Sequence, residues 1–174
     1  MNKTDKSINP KTKHMKNLIL KSLLVLALVV SLFSCSTAQS NQVDTDNPAL
    51  ISAYLELKDA LVKTDAALAN KAAQSLTKAI EADEEGLPAE LKEAAEAIAS
   101  ANDVEVQRTH FNTVSQSVYN HVKQSEGEKI GLYKQYCPMA FNNTGAYWLA
   151  SEKEINNPYF GDRMLRCGTV KEEL

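Results

Sequence analysis

The sequence lacks most of the patterns that mark an enzyme. It has no Gly-x-Ser-x-Gly, no glycine loop that would cradle a phosphate and no His-Glu-x-x-His, so the usual serine-hydrolase, phosphate-binding and zinc-protease readings have no starting point. Cys-x-x-Cys is also missing, so a thiol oxidoreductase would need distant cysteines to meet beside an activating group. Acidic residues are plentiful, but most lie on helix faces expected to be exposed, and Glu81, Asp83, Glu84 and Glu85 read as a solvated helix end. The expectation is a protein that is not an enzyme.

A long hydrophobic run is missing too. Leu23 to Phe33 is apolar apart from Ser31, and at 1.5 Å per residue it reaches roughly 16 Å, about half of a hydrocarbon core. Before it, six lysines (Lys3, Lys6, Lys11, Lys13, Lys16, Lys21) stand against one acid, Asp5. A cationic flank and a short apolar core make a secretory signal. The run closes on Leu32-Phe33-Ser34-Cys35, which resembles a lipobox: the peptidase needs a small side chain before the cut, and only a thiol accepts the lipid as a thioether. We therefore expect a signal peptide over 1–34 and a diacylglyceryl group on Cys35. A lipidated tether over 35–47 would then hold a single domain, 48–174, at the periplasmic face of a membrane, inner or outer. An uncleaved anchor, or an ordinary signal beside a chance cysteine, are the alternatives.

Without the signal, basic charge is scarce. Thirteen of the 19 basic residues remain against 21 of the 22 acids, a balance of about −8. That excludes a nucleic-acid partner, because no basic row is left to neutralise phosphates; it is compatible with cations. Of three cysteines, Cys35 is consumed by lipid, which leaves the pair Cys137 and Cys167.

What is present is helical. Asn47-Pro48 suits a helix start, and Ile51, Tyr54, Leu55, Leu61, Val62, Leu68, Ala72, Leu76 and Ile80 recur at three- and four-residue steps. One helix over 48–81 would be about 50 Å long, so a break near Thr64-Asp65 is expected. Leu87-Pro88 opens a third helix, with Leu91, Ala94, Ala95 and Ile98 on one side. Asn102-Asp103 caps a fourth, whose stripe is Val104, Phe111, Val114, Val118 and Val122 with Gln107 between, ending near Glu126-Gly127. From 130 to 174 aromatics, asparagine and glycine replace alanine. Short extended pieces are expected at Leu132–Tyr136 and Ala146–Leu149, joined across Asn142-Asn143-Thr144-Gly145, with a second turn at 157–161. The fold class is mainly α: an antiparallel bundle of about four helices with a small, irregular or short-stranded C-terminal cap.

Two segments of that cap carry sulfur. Tyr136-Cys137-Pro138-Met139 and Met164-Leu165-Arg166-Cys167-Gly168 each set a methionine within three residues of a cysteine. Thiolate and thioether are soft donors that favour Cu(I) or Ag(I) over hard cations, and a thioether neither forms a disulfide nor titrates. Cys137, Met139, Met164 and Cys167 are the candidate ligands. The other reading is a Cys137–Cys167 disulfide closing a loop of about 30 residues, worth roughly 3 to 4 kcal/mol. His110 and His121 are possible extra ligands, but eleven positions of helix put them about 16 Å apart, so they cannot share an ion.

The same residues carry a resemblance. Tyr133-x-x-Tyr136-Cys137-Pro138-Met139, Asn143-x-Gly145-Ala146-x-Trp148-Leu149, Ile155-x-Asn157-Pro158-Tyr159-Phe160-Gly161 and Met164-Leu165-x-Cys167-Gly168-x-Val170 resemble an uncharacterised lipoprotein family of Gram-negative bacteria, a domain of unknown function. The likeness begins at Tyr54-Leu55-x-Leu57-Lys58-Asp59-Ala60-Leu61. Such domains also occur appended to periplasmic adaptors of CusB-type heavy-metal efflux systems, so the resemblance implies copper or silver handling beside an efflux adaptor, and no enzymatic activity. Relatives carry a longer, histidine-bearing connection where this chain has Glu84 to Glu93 without histidine. Two functions stay open: a lipoprotein that sequesters or transfers a soft metal ion, and a disulfide-stapled module that docks on an adaptor or another envelope protein.

Overall fold

The first helix begins where a polar side chain and a proline share the work. Asn47 Oδ1 accepts from the Leu50 N–H at 2.9 Å, and Pro48, which has no N–H to leave unsatisfied, takes the first turn. This computed structural model describes residues 47–83, 86–124 and 130–174. The signal peptide, the lipidation site Cys35 and the tether up to residue 46 lie outside the described residues.

Four helices follow in order: α1 (Pro48–Val62), α2 (Ala66–Glu81), α3 (Ala89–Ser100) and α4 (Val104–Gln124). The break at Thr64-Asp65 falls where the sequence places it. Thr64 is left-handed (φ 56°), and Asp65 restarts the helix by accepting from the Leu68 N–H at 2.8 Å. Asp103 does the same for α4, accepting from Glu105 N at 2.7 Å.

Successive helices run antiparallel, and polar ties at their ends show it. Asn47 at the start of α1 donates to Asp83 just past α2 at 2.6 Å. Lys92 near the start of α3 reaches Glu81 at the end of α2. Asn70 Nδ2, in the first turns of α2, meets the carbonyls of Ile98, Ala99 and Ala101 at the end of α3, which quiets orphan acceptors of that terminus. Ala69, Ala72 and Ala73 of α2 and Ala94 and Ala95 of α3 are buried, so small side chains let these two helices approach closely.

The cap is a three-stranded antiparallel sheet, β1 (Tyr133–Cys137), β2 (Ala146–Ala150) and β3 (Thr169–Glu173), in spatial order β2-β1-β3. Tyr54 bonds it to the bundle. Its hydroxyl accepts from the Leu149 N–H at 2.9 Å and pairs with Ser115 Oγ at 2.9 Å, while its ring stacks on Phe111. One phenol thus joins α1, α4 and β2.

The cap differs from the expectation in three ways. β1 is shifted by one residue, so that Cys137 is its last member. A third strand exists: Lys171, Glu172 and Glu173 give β3 no apolar alternation to read, and it forms as a largely exposed edge paired on one side only. The connection from β1 to β2 is a short turn, Ala140–Asn143, in which Phe141, Asn142 and Asn143 all have positive φ; asparagine tolerates this conformation, phenylalanine does so at a cost of roughly 1 to 2 kcal/mol. In the segment leading to Met164 and Cys167, Gly161–Arg163 forms a 3-10 turn.

Candidate functional site

Alternation along β1 turns Gln135 and Cys137 inward, and both are fully buried. Pro138 then ends the strand, since it has no N–H for the ladder, and Met139 begins the left-handed turn. On the other side β3 pairs with β1 as Gln135↔Val170 and Tyr136↔Thr169. Continued by one step, that register carries Cys137 to Gly168, with Cys167 beside it.

The two thiols approach each other there. The Cys137 and Cys167 side chains lie close enough to influence each other's ionisation, with the Met139 backbone beside Cys167. Both cysteines are unbridged; Cys137 is buried and Cys167 half-buried. Burial pushes the Cys167 thiol up to about 11, the neighbouring Cys137 thiol adds to the rise, and the Met139 N–H opposes it. A cation taking this sulfur must displace its proton.

The segment bearing Cys167 is held from three directions. Asn157, fully buried, donates from Nδ2 to the Cys167 carbonyl at 2.8 Å, accepts at Oδ1 from the Tyr159 N–H at 2.9 Å, and gives its own N–H to the Leu165 carbonyl at 2.9 Å. Gly168 supplies the close approach: at φ +149°, a Cβ there would stand 2.9 Å from the Trp148 ring and 3.0 Å from the Tyr136 carbonyl. Arg108, buried on α4, donates from Nε to the Pro158 carbonyl and from Nη2 to the Leu61 carbonyl and Thr64 Oγ1, with Glu105 on Nη1. It thereby fastens the loop to the end of α1.

The methionines neighbour this pair along the chain, and their side chains line a cavity that neither cysteine lines. The Cys167 N–H donates to the Met164 carbonyl at 3.0 Å, and Met139 is next but one after Cys137. Both methionines line one cavity of about 480 Å³, with Phe141, Phe160, Arg108 and Arg163 among its other walls. Glu105 lies between the two arginines, 2.7 Å from each. Met139 is about half exposed, so its thioether is open to solvent.

All four sulfur-bearing residues named from the sequence are thus brought to one end of the sheet. His110 and His121 lie on α4. Among the described residues no three His, Cys, Asp or Glu side chains are grouped to hold an ion. Sequence reasoning missed Asn157 and Arg108: the first was visible as a turn residue, but nothing local marks the second as buried.

A DUF3347 domain is found at residues 50–129. Its description is a protein of unknown function. The match takes in the four helices, and it ends before β1, so it includes none of the four sulfur-bearing residues. No curated protein and no solved structure matches the chain.

Proposed function

We propose that this protein binds a soft monovalent cation, Cu(I) or Ag(I), through Cys137 and Cys167, for sequestration or for transfer to a heavy-metal efflux system. The observation that supports the reading is the approach of two sulfur segments 30 positions apart, which the β1–β3 pairing sets side by side, with a methionine next to each cysteine in the chain. The donor set fits the cargo: two thiols that become thiolates on binding supply charge and affinity, and Met139 and Met164 offer neutral soft contacts for exchange. Trp148, buried on the same sheet face as Cys137, would keep water from that thiol. Lipidation of Cys35 would hold the site at the periplasmic face of a membrane, near an efflux adaptor or another envelope protein.

The test is a Cu(I) competition titration against a chromophoric chelator, under reducing conditions, on the wild type and on Cys137→Ser and Cys167→Ser. One Cu(I) per chain is expected for the wild type. Each serine variant should lose most of that affinity, and Met139→Leu with Met164→Leu should weaken it less. Equal uptake by all the variants, or none by the wild type, would overturn the proposal.

A further inference from the structure

The cavity that Met139 and Met164 line holds chemistry that a soft-metal site does not use. Its floor is buried: Arg108 comes from α4, Ala140 from the turn after β1 and Tyr159 from the loop before β3. Phe141 and Phe160 stand half-buried in its walls, while Glu105, Arg163, Asn142 and Asn143 are exposed at its mouth. A space of about 480 Å³ with apolar walls and a few polar groups is the usual form of a small-molecule site.

Two features select the occupant. The first is charge. Glu105 Oε1 accepts from Arg108 Nη1 and from Arg163 Nη2, at 2.7 Å each, so one carboxylate stands against two guanidinium groups and the lining keeps a net positive charge. Arg108 is committed to the Leu61 and Pro158 carbonyls and to Thr64. Arg163 is not. Its side chain is exposed, its Nε makes one long bond to the Phe160 carbonyl at 3.5 Å, and its Nη1 makes no hydrogen bond among the described residues. A guanidinium edge left open in this way is a carboxylate receptor.

The second feature is the aromatic wall. The Arg163 guanidinium lies 5.8 Å from the centre of the Phe160 ring. Phe141 holds a left-handed backbone (φ 50°), and its ring meets Tyr159 edge-on at 5.3 Å. Asparagine, which fills the next two positions, takes that conformation at lower cost, so what Phe141 adds to the turn is its ring in the cavity wall. Two thioethers complete the lining, and thioether sulfur packs favourably against ring edges.

We infer that this cavity binds a small aromatic monocarboxylate, with its carboxylate on Arg163 and its ring against Phe141, Phe160 and the two methionine side chains. An aliphatic carboxylate would use the charge and leave the rings idle; an aromatic cation would use the rings and meet the wrong charge. The inference does not rest on the metal reading, since neither cysteine lines the cavity.

The experiment uses the full chain carrying Cys35→Ser, reduced and free of metal, with isotope-labelled methionine methyl groups followed by nuclear magnetic resonance. Met139→Leu and Met164→Leu assign the two signals. Titration with hydrocinnamate should shift both signals to saturation. Hydrocinnamide, with the same ring and no charge, should bind more than about tenfold more weakly, because it forfeits a charge-assisted pair, and phenylpropylamine should bind more weakly still. Arg163→Gln, a change at an exposed side chain, should weaken hydrocinnamate about tenfold for the same reason. Glu105→Gln, which removes the opposing charge and keeps an acceptor for Arg108, should tighten it. Amide or amine binding as tight as that of hydrocinnamate, or signals that do not shift, would overturn the inference. Octanoate binding as tightly as hydrocinnamate would overturn it too, because the rings would then have no part in recognition. Copper titration is independent of every one of these outcomes.

Discussion

Replacing Asn157 by alanine should cost roughly 2 to 4 kcal/mol of stability. The side chain is fully buried and makes two hydrogen bonds that alanine cannot, one to the Cys167 carbonyl and one from the Tyr159 N–H. Tyr159 is itself buried, so its N–H loses its partner with little access to water, and an orphaned buried group costs about 1 to 3 kcal/mol. Cys167 is half-buried, and water can partly replace the lost donor there, which makes that loss the smaller one. Asn157→Asp separates the two effects: a carboxylate still accepts from Tyr159 but cannot donate to Cys167, and it sets negative charge against a carbonyl. Urea denaturation followed through Trp148 fluorescence measures both variants. If Asn157→Ala unfolds within about 0.5 kcal/mol of the wild type, the range of an ordinary surface substitution, then the bonds drawn to Cys167 and Tyr159 do not hold the site.

Other predictions test neighbouring parts of the account. Gly168→Ala should destabilise by roughly 2 to 4 kcal/mol, combining a positive-φ penalty with overpacking against Trp148 and the Tyr136 carbonyl, and should lower Cu(I) affinity; thermal unfolding and the competition titration measure the two effects. Arg108→Met should cost about 3 kcal/mol or more, since the Leu61 and Pro158 carbonyls lose a charged donor inside the protein; chemical denaturation reads this directly. His110→Ala with His121→Ala should leave Cu(I) affinity unchanged in the same titration, and a tenfold loss would reassign the ligands. Glu152 is partly buried, which by itself would raise its carboxyl, but the bond and charge of Lys58, helped by Ser151 and Asn156, outweigh this and hold it below its usual 4.5. Its stabilising contribution is therefore complete above that value and is lost as the pH falls through the lower folded-state value. Glu152→Gln should be less stable than the wild type at neutral pH, with the difference shrinking as the medium is acidified below about 4.5; unfolding free energies measured across the acid range check this sign.

The helices were legible because each of their signals is local. Apolar spacing names the buried faces, and Asn47-Pro48, Thr64-Asp65, Pro88 and Asp103 mark starts and breaks through hydrogen bonds made within a few residues of themselves. The cap was legible only in outline. β3 exists because β1 offers it an edge, and a strand of Thr-Val-Lys-Glu-Glu carries no apolar alternation to announce that. Arg108 and Lys58 illustrate the same limit. Each is a charged residue on a helix, and only the chain folding back, with Pro158 over one and Glu152 over the other, makes burial tolerable. For the site, residue chemistry pointed to Cys137, Met139, Met164 and Cys167, and antiparallel pairing of β1 with β3 is what brings the two cysteine segments together. The unequal exposure of the two cysteines follows from three-dimensional packing alone.

The most direct measurement of the central claim is X-ray absorption at the copper edge on the full chain loaded with one equivalent of Cu(I) under reducing conditions. A first coordination shell made only of sulfur, lost in Cys137→Ser and in Cys167→Ser, is the predicted result. A shell containing nitrogen or oxygen, or a sulfur shell untouched by either substitution, would contradict the account.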